Sequence, residues 1–123
     1  MTFKTPLILQ AGTQPDVWIV YEPLVWQDSH IGSIVVPKGF QTDLASIPRI
    51  LRNVPSLDQN GLSRRPAVLH DYLYTQKNFS KEYSDVLFYD ALRDEGASVL
   101  LAQALYDAVR LFGGQAWSKD QSH

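Results

Sequence analysis

A histidine and an aspartate stand side by side in the middle of the chain, and this pair is the first candidate for chemistry. His70 and Asp71 lie in a mostly apolar run at residues 67–74, which is predicted to be helical. Imidazole and carboxylate are ordinary ligands for zinc, manganese or iron. Neighbouring helix positions point about 100° apart, so the two side chains either converge on one metal or act as ligand and orienting partner. In the alternative interpretation, His70 belongs to a core hydrogen-bond network and Asp71 pairs with an arginine.

A second aspartate, Asp85, is predicted on an apolar helix face. Aromatic and aliphatic residues follow it at i+3, i+4 and i+7, which is the spacing of one face. Charged groups are almost never buried without a partner. Asp85 therefore either pairs, with Arg110 or His70 as its partner, or lines a cleft, and the sequence leaves both interpretations open.

Short polar side chains follow the strand predicted at residues 33–36. Asp43 is either a metal ligand or a turn cap, and Thr42 is a structural candidate. Ser46 could act as a nucleophile only beside a base, for which His70 is the plausible choice, and helix or turn capping is the structural alternative. The sequence contains no Gly-x-Ser-x-Gly elbow, His-Glu-x-x-His pair, Walker loop, dinucleotide fingerprint or EF-hand loop.

The charge balance argues against a nucleic-acid-binding surface. Lysine and arginine number 11 against 13 aspartates and glutamates, so no basic footprint is present and no nucleic acid is expected as a partner. An arginine cluster that includes Arg49 and Arg65 is the best candidate for anion binding. Cysteine is absent, which excludes disulfides, cysteine zinc sites and thiol nucleophiles.

The elements that must position these residues divide the chain into a β-rich part, residues 1–40, and a helical part, residues 66–113. β-Branched and aromatic residues with Pro and Gly boundaries predict strands at residues 17–21, 23–26 and 33–36, joined as an antiparallel meander. Residues 41–65 are predicted to be an irregular loop. We expect this loop to cross the start of the first helix, to bring Asp43 towards His70 and to leave a cleft there.

Helical periodicity predicts three helices in the second part of the chain. The first spans about residues 65–77, the second residues 80–96 and the third residues 98–112. Ser80 is expected to cap the second helix and Gly96 to end it. The third helix is expected to bury one face, formed by Leu101, Ala104, Leu105, Ala108 and Phe112.

Length and composition place these elements in one domain. The 123 residues are 45% hydrophobic and 20% charged, which are globular proportions. We expect an α+β fold over residues 1–117, in which a small N-terminal antiparallel sheet of about three strands packs against three C-terminal helices. Trp117 is expected to fold back on the core and residues 118–123 to form a polar tail. We recognise no signal peptide, and no apolar stretch approaches the roughly 18 residues of a membrane span.

Four blocks in a fixed order resemble the DUF1353 family, which consists of small proteins found widely in tailed phages and prophages. The blocks are residues 39–49, 67–74, 84–88 and 106–113, and Ser84 stands where the family usually has alanine. The resemblance implies a phage or prophage origin, and therefore a location in the host cytoplasm or the virion. It also implies a shared polar set, formed by Thr42, Asp43, Ser46, His70, Asp71, Asp85 and Arg110.

The first functional hypothesis is a metal-dependent hydrolase. Asp43, His70 and Asp85 would hold a zinc or manganese ion with an open position for water. Asp71 and Ser46 are then the candidate catalytic residues, with Asp71 as ligand, orienting partner or general base. Peptidoglycan is one expected substrate, and a phosphoester bound by the arginines is the other.

The second hypothesis is a non-catalytic phage protein. It would be a tail or virion accessory, or a binder of a host factor, and phage structural proteins or host proteins would be its partners. Asp85 with Arg110, and His70 with Asp43, would then form buried pairs that fix the helices against the loop. The oligomeric state stays open under both hypotheses.

Overall fold

The chain has the α+β architecture that its patterning predicts. The computed structural model describes residues 1–44, 46–47 and 61–121. The strands in these segments are β1 (Thr2–Phe3), β2 (Leu9–Ala11), β3 (Trp18–Val20), β4 (Leu24–Asp28), β5 (Gly32–Val36) and β6 (Gln41–Thr42). The helices are α1 (Arg64–Gln76), α2 (Lys81–Asp94), α3 (Val99–Phe112) and α4 (Gly114–Gln121).

The strands form two small antiparallel sheets in place of the single meander expected. β4 and β5 form a hairpin in which Leu24 lies opposite Val36, and β1 pairs with the other edge of β4. β3 pairs instead with β2 and β6. The prediction that β3 belongs to the same sheet as β4 and β5 is wrong. Pro23 has no amide proton to donate to a neighbouring strand, and the chain bends just before it. The amide of Val20 donates instead to the carbonyl of Phe40, at 2.9 Å.

Side-chain caps begin α2 and α3 at the positions expected from the sequence. Ser80 Oγ accepts a hydrogen bond from the amide of Tyr83 at 3.1 Å. Ser98 Oγ accepts one from the amide of Leu101 at the same distance. Gly96, with φ of +102°, follows the end of α2 in a conformation that favours glycine. The predicted boundaries of these helices are therefore confirmed.

The buried face of α3 differs from the expected one. Its buried residues are Ala102, Leu105 and Val109. Ala104 is exposed and the Phe112 side chain is 80% exposed, so the prediction of burial is wrong for both. The cause is that α3 carries apolar residues on more than one side: Leu100 and Leu111 are exposed as well. Periodicity alone cannot choose the buried face of such a helix.

A fourth helix, α4, occupies most of the segment predicted to be a polar tail. Its Trp117 packs edge-on against Tyr74 of α1, with the ring centroids 5.1 Å apart. The ammonium group of Lys77 lies 4.1 Å from the Trp117 ring centroid. Trp117 therefore folds back as expected, and its contacts with α1 hold α4 against that helix. Residues 122–123 lie outside the described part of the chain.

Helix α1 is the element that touches most of the others. It packs against α2 and α4 and contacts strands of both sheets. Arg65, near its start, donates hydrogen bonds of 2.6 and 2.7 Å to Glu95 and one of 3.0 Å to the carbonyl of Thr5. This residue therefore links the start of α1 to the end of α2 and to the chain after β1. Among the described helices, none combines the length and the apolar character needed to cross a membrane.

Candidate active site

His70 lies in the middle of α1 with both ring nitrogens in hydrogen bonds. Its side chain is 2% exposed. Nδ1 is 2.5 Å from Ser46 Oγ, and Nε2 is 2.7 Å from Asp85 Oδ1. A serine, a histidine and an aspartate from three different segments are thus joined in one chain of hydrogen bonds. This is the arrangement in which a histidine can take a proton from a serine.

Asp85, on α2, accepts hydrogen bonds from three side chains. Oδ1 accepts from His70 and from the hydroxyl of Tyr74, both at 2.7 Å. Oδ2 accepts from Lys81 Nζ at 2.8 Å. A carboxylate that is 1% exposed is stabilised in its ionised form by such donors. Burial acts to raise the pKa of Asp85, but the hydrogen bonds from His70, Lys81 and Tyr74 outweigh it and hold that pKa below its usual value.

Lys81 supplies the positive charge that balances Asp85. Its ammonium group also donates to the carbonyls of Val109 and Arg110, at 3.1 and 3.3 Å, where α3 ends. The expected Asp85–Arg110 ion pair is therefore replaced by an Asp85–Lys81 pair. Arg110 contributes its backbone carbonyl, and its side chain is exposed.

The protonation state of His70 follows from its surroundings. Burial lowers the pKa of His70 below 6.5, against the opposing effect of the hydrogen bond and charge of Asp85. The ring is therefore neutral at neutral pH and carries one proton. Because an ionised carboxylate only accepts hydrogen bonds, that proton is on Nε2, and Nδ1 has a free lone pair that accepts the hydroxyl proton of Ser46. Nδ1 is thus the basic atom, and it faces the serine.

Tyr74 is a second donor to Asp85. Burial, followed by the hydrogen bond to Asp85, raises the pKa of Tyr74 far above its ordinary value. The phenol therefore stays protonated at neutral pH. Its ring also packs against the ring of His70, with the centroids 4.2 Å apart and the planes tilted by 47°. Tyr74 thus helps to hold both the carboxylate and the imidazole in place.

Ser46 is held in position by the two core residues that flank it. Leu44 and Ile47 are 3% and 1% exposed. The amide of Ile47 donates to the carbonyl of Leu44 at 2.9 Å, which closes a tight turn around the serine. The amide of Leu44 donates in turn to the hydroxyl of Thr42 at 3.1 Å. The turn therefore directs Ser46 towards α1, and the structural role predicted for Thr42 agrees with this bond.

Ser46 and His70 line a cavity of about 650 Å³. This volume lies within the range of small-molecule sites. The polar part of its wall is formed by Asp43, Ser46, His70, Asp71 and Tyr74. Residues at the end of α3 and the start of α4 form the apolar part, with Ala108, Val109, Phe112 and Ala116. The cleft expected between the loop after β6 and the first helix is therefore present, and Asp43 and His70 both line it.

Gly113, which joins α3 to α4, allows the apolar wall to approach Tyr74. A Cβ atom at this position would lie 2.7 Å from the Tyr74 hydroxyl and 2.4 Å from the carbonyl of Val109. Both distances are shorter than a side chain tolerates. A residue without a side chain is therefore required where the two walls of the cavity meet.

The metal centre expected from Asp43, His70 and Asp85 is not assembled in the segments that the structure describes. These segments contain no group of three or more His, Asp or Glu side chains placed to hold a metal ion. His70 Nδ1 and Nε2 are each engaged by a neighbouring side chain, so a metal would have to displace Ser46 or Asp85. The bond from Nε2 shows that Asp85 orients the imidazole.

The cluster expected to bind anions contains four arginines, Arg49, Arg52, Arg64 and Arg65. Arg65 is engaged by Glu95 and does not line the cavity. Arg49 lies outside the described residues. The structure therefore assigns Arg65 a structural role.

Two residues of the site, Tyr74 and Lys81, were not found by sequence reasoning. Each lies four residues from a residue that was found: Tyr74 follows His70, and Lys81 precedes Asp85. Residues at i and i+4 on a helix are neighbours. A search for hydrogen-bonding residues at this spacing from each candidate would have identified both.

Comparison with known proteins places the chain in a family. Searches of curated proteins and of solved structures found no match. The family described as "Protein of unknown function (DUF1353)" matches residues 18–109, which is about three quarters of the chain and includes Ser46, His70 and Asp85. The protein is therefore a member of the DUF1353 family.

Proposed function

We propose that this protein is a hydrolase that cleaves a carboxylic ester, thioester or amide through an acyl intermediate on Ser46. The observation that carries the proposal is the chain of hydrogen bonds from Ser46 through His70 to Asp85, with Ser46 and His70 in the wall of a cavity. Nucleophile, base and orienting carboxylate are the three parts that acyl transfer requires. Ser46, His70 and Asp85 are all candidates for the metal-dependent hydrolase expected from the sequence. In this proposal His70 is the base and Asp85 its orienting partner, whereas that hypothesis makes both of them metal ligands.

The reaction has two balanced steps. Ser46 Oγ bonds to the substrate carbonyl carbon while its proton moves to His70 Nδ1, and that proton then passes to the leaving alcohol, thiol or amine as its bond to the carbonyl carbon breaks. In the second step a water molecule attacks the acyl carbon and gives a proton to Nδ1. The proton returns to Ser46 Oγ as the carboxylic acid departs.

Asp85 and α4 provide the electrostatic support in this proposal. The carboxylate of Asp85 accepts the Nε2 proton, fixes the tautomer and stabilises the imidazolium that forms during each step. The cavity also contains residues of the first turn of α4, Gln115 and Ala116. The start of a helix carries partial positive charge, which favours the negative charge that develops on the substrate oxygen.

The proposal extends to the class of substrate and to a phage or prophage origin of the protein. Of the two substrates expected from the sequence, peptidoglycan contains amide bonds that acyl transfer can cleave, whereas a phosphoester would require a different reaction at Ser46. We place the protein in a tailed phage or prophage, on the resemblance of its four sequence blocks. It would then act in the host cytoplasm or as part of the virion, on a host or phage molecule.

The second candidate function is the non-catalytic one, and one observation favours it. Asp85 is saturated by three donors, as is usual for a buried carboxylate in a structural core. A purely structural network would not need Ser46 and His70 to border a cavity. The position of Ser46 and His70 beside the cavity therefore favours the hydrolase over the non-catalytic protein.

The test is covalent labelling with an alkyl fluorophosphonate, which reacts with activated serines. Intact mass measurement should find one probe per chain, and peptide mapping should place it on Ser46. Ser46→Ala should take up no probe, and His70→Gln should react far more slowly. Ser33→Ala removes an exposed serine of β5 and serves as the matched control, which should label normally. Absence of label on Ser46 of the folded wild-type protein would favour the structural role.

A further inference from the structure

We infer that the substrate of this site carries an apolar acyl chain, which packs along the wall formed by α3 and α4. The inference rests on the proposed function, since it names the substrate class of the same serine. It depends on the character of the cavity wall opposite Ser46 and on one exposed aromatic residue, Phe112.

The exposed side chain of Phe112 supports the inference first. Its side chain is 80% exposed although it lines the cavity. An exposed phenylalanine gains free energy from any apolar surface that covers it. Ligand-binding cavities are lined mainly by apolar and aromatic side chains. The ring is therefore placed to contact a bound molecule.

The neighbours of Phe112 continue the apolar surface into the cavity. Ala108 and Val109 precede it on α3, and Ala116 follows on α4. Alanine fills little space beyond the backbone, so the cavity stays open beside the ring. The lining residues from the end of α3 are thus apolar, and α4 adds Ala116 together with one polar residue, Gln115.

The part of the substrate that this wall accommodates is the acyl group. In acyl transfer, the acyl group stays attached to the serine through both steps, whereas the leaving group departs after the first. A surface that positions the reacting carbon throughout the reaction must therefore contact the acyl side. A medium-length alkyl chain is the acyl group that matches an apolar wall. Among the substrates of the proposed function, the inference therefore favours esters, thioesters or amides of alkyl acids over the amides of peptidoglycan.

The inference predicts a dependence of rate on chain length. Each methylene group transferred from water to an apolar surface contributes about 0.8 kcal/mol, or roughly a fourfold gain in kcat/KM. We expect this gain across 4-nitrophenyl acetate, butyrate and hexanoate, until the chain outgrows the cavity. Lengthening the leaving alcohol of an acetate ester should have much less effect.

A matched pair of variants locates the effect at Phe112. Phe112→Ala should remove most of the gain in kcat/KM with acyl-chain length. Leu111→Ala removes a neighbouring apolar side chain that is 64% exposed and does not line the cavity, so it should keep the wild-type dependence. Ala108→Phe should fill the cavity and slow hexanoate more than acetate. Equal chain-length dependence in the wild type and in Phe112→Ala would overturn the inference.

A binding measurement separates this inference from the proposed function. Octanamide is a neutral analogue of the acyl group, and Ser46→Ala cannot hydrolyse it. Calorimetry should show that octanamide binds to Ser46→Ala at least tenfold more tightly than propanamide does, and that adding Phe112→Ala abolishes this difference. If short esters are hydrolysed but octanamide shows no such preference, the apolar chain is excluded while the hydrolase stands. If octanamide binds through Phe112 but Ser46 takes no label, the binding site stands and the acyl-enzyme reaction is excluded.

Discussion

Lys81 occupies a position that helix energetics alone would disfavour. It is the first residue of α2, where the helix already carries partial positive charge. The order of lysine before aspartate at i and i+4 is also the weaker orientation for such a pair. What stabilises Lys81 there is its bond to Asp85 and its bonds to the carbonyls at the end of α3. We therefore regard Lys81 as a positioning residue of the site.

Lys81→Met should move the acidic limb of the pH–kcat/KM profile to higher pH. The positive charge of Lys81 opposes protonation of His70, so its removal raises the pKa of His70. Lys81→Arg keeps the charge and should restore the wild-type profile. Lys38→Met, which removes a lysine from the Tyr21 ring, is the control for loss of one positive charge. If Lys81→Met leaves the pH–kcat/KM profile unchanged, Lys81 contributes only to the stability of the fold.

Asp85→Asn should lower kcat/KM by roughly 10²–10⁴-fold while the cavity stays intact, as loss of an orienting carboxylate does in serine hydrolases. The side-chain amide of the variant no longer favours the tautomer of His70 that has its proton on Nε2. The NH₂ group of this amide also cannot accept a hydrogen bond from Lys81. The uncompensated lysine should also lower the free energy of unfolding. Steady-state kinetics and urea unfolding measure the two effects separately. Asp90→Asn on the same helix is the comparison, since Asp90 does not line the cavity, and it should retain activity.

At the scale of elements, the junction of α3 and α4 decides the shape of the cavity. Gly113 lies where the backbone of α3 meets the hydroxyl of Tyr74. Trp117, one turn into α4, packs on the same tyrosine. The position of α4 is therefore coupled to a residue that donates to Asp85.

Gly113→Ala and Gly114→Ala should behave in opposite ways although the two glycines are adjacent. The first places a methyl group 2.7 Å from the Tyr74 hydroxyl and should destabilise the protein by about 1–3 kcal/mol. The second meets nothing within 4 Å and should be neutral or slightly stabilising, because alanine favours a helix. Thermal unfolding followed by circular dichroism measures both. Similar melting temperatures for the two variants would contradict the close approach at Gly113.

The elements that sequence could predict are those with strong local signals. The hydroxyl caps Ser80 and Ser98 and the left-handed Gly96 define helix boundaries without reference to the rest of the fold. β1, β2 and β6 contain two or three residues each, too few to show an alternating pattern. The pairing of β3 with β6 depends on a contact across more than twenty residues, which local sequence does not encode. The exposure of Phe112 could not be predicted because α3 carries apolar residues on more than one side, so periodicity does not identify its buried face.

At the scale of the whole molecule, the site should make stability sensitive to acid. The pKa of His70 in the folded protein is below the ordinary value of 6.5. Below pH 6.5, His70 therefore binds a proton more readily in the unfolded chain than in the folded one. The free energy of unfolding should therefore fall as pH decreases below 6.5, at up to about 1.4 kcal/mol per pH unit for one proton. Because the pKa of Asp85 is also lowered, a further loss follows at pH values below 3.8.

Urea unfolding between pH 7.5 and about pH 5 measures this slope, which His70→Gln should reduce. His30→Gln removes an imidazole whose side chain is 78% exposed, and it is expected to keep the wild-type slope. A slope that is unchanged in His70→Gln would show that other groups cause the acid sensitivity.

The site was predictable as a list of residues but not as a set of roles. Ser46, His70 and Asp85 were identified from their types and contexts, and the four family blocks contain all three. Of the interpretations open for Asp85, the structure shows its pairing with His70, and the assignment of both residues as metal ligands stays a prediction. Which ring nitrogen meets which neighbour depends on how α1 and α2 pack, and that information is absent from spacing along the chain.

The arrangement of this site also has a consequence for protein engineering. His70, Tyr74, Lys81 and Asp85 all come from two consecutive helices that pack against each other and lie within a stretch of sixteen residues, whereas Ser46 comes from a separate turn. The base and its supports are therefore encoded locally, and such short-range contacts form quickly during folding. The nucleophile is encoded elsewhere in the chain, so Ser46 can be exchanged for cysteine or threonine without changing His70, Tyr74, Lys81 or Asp85.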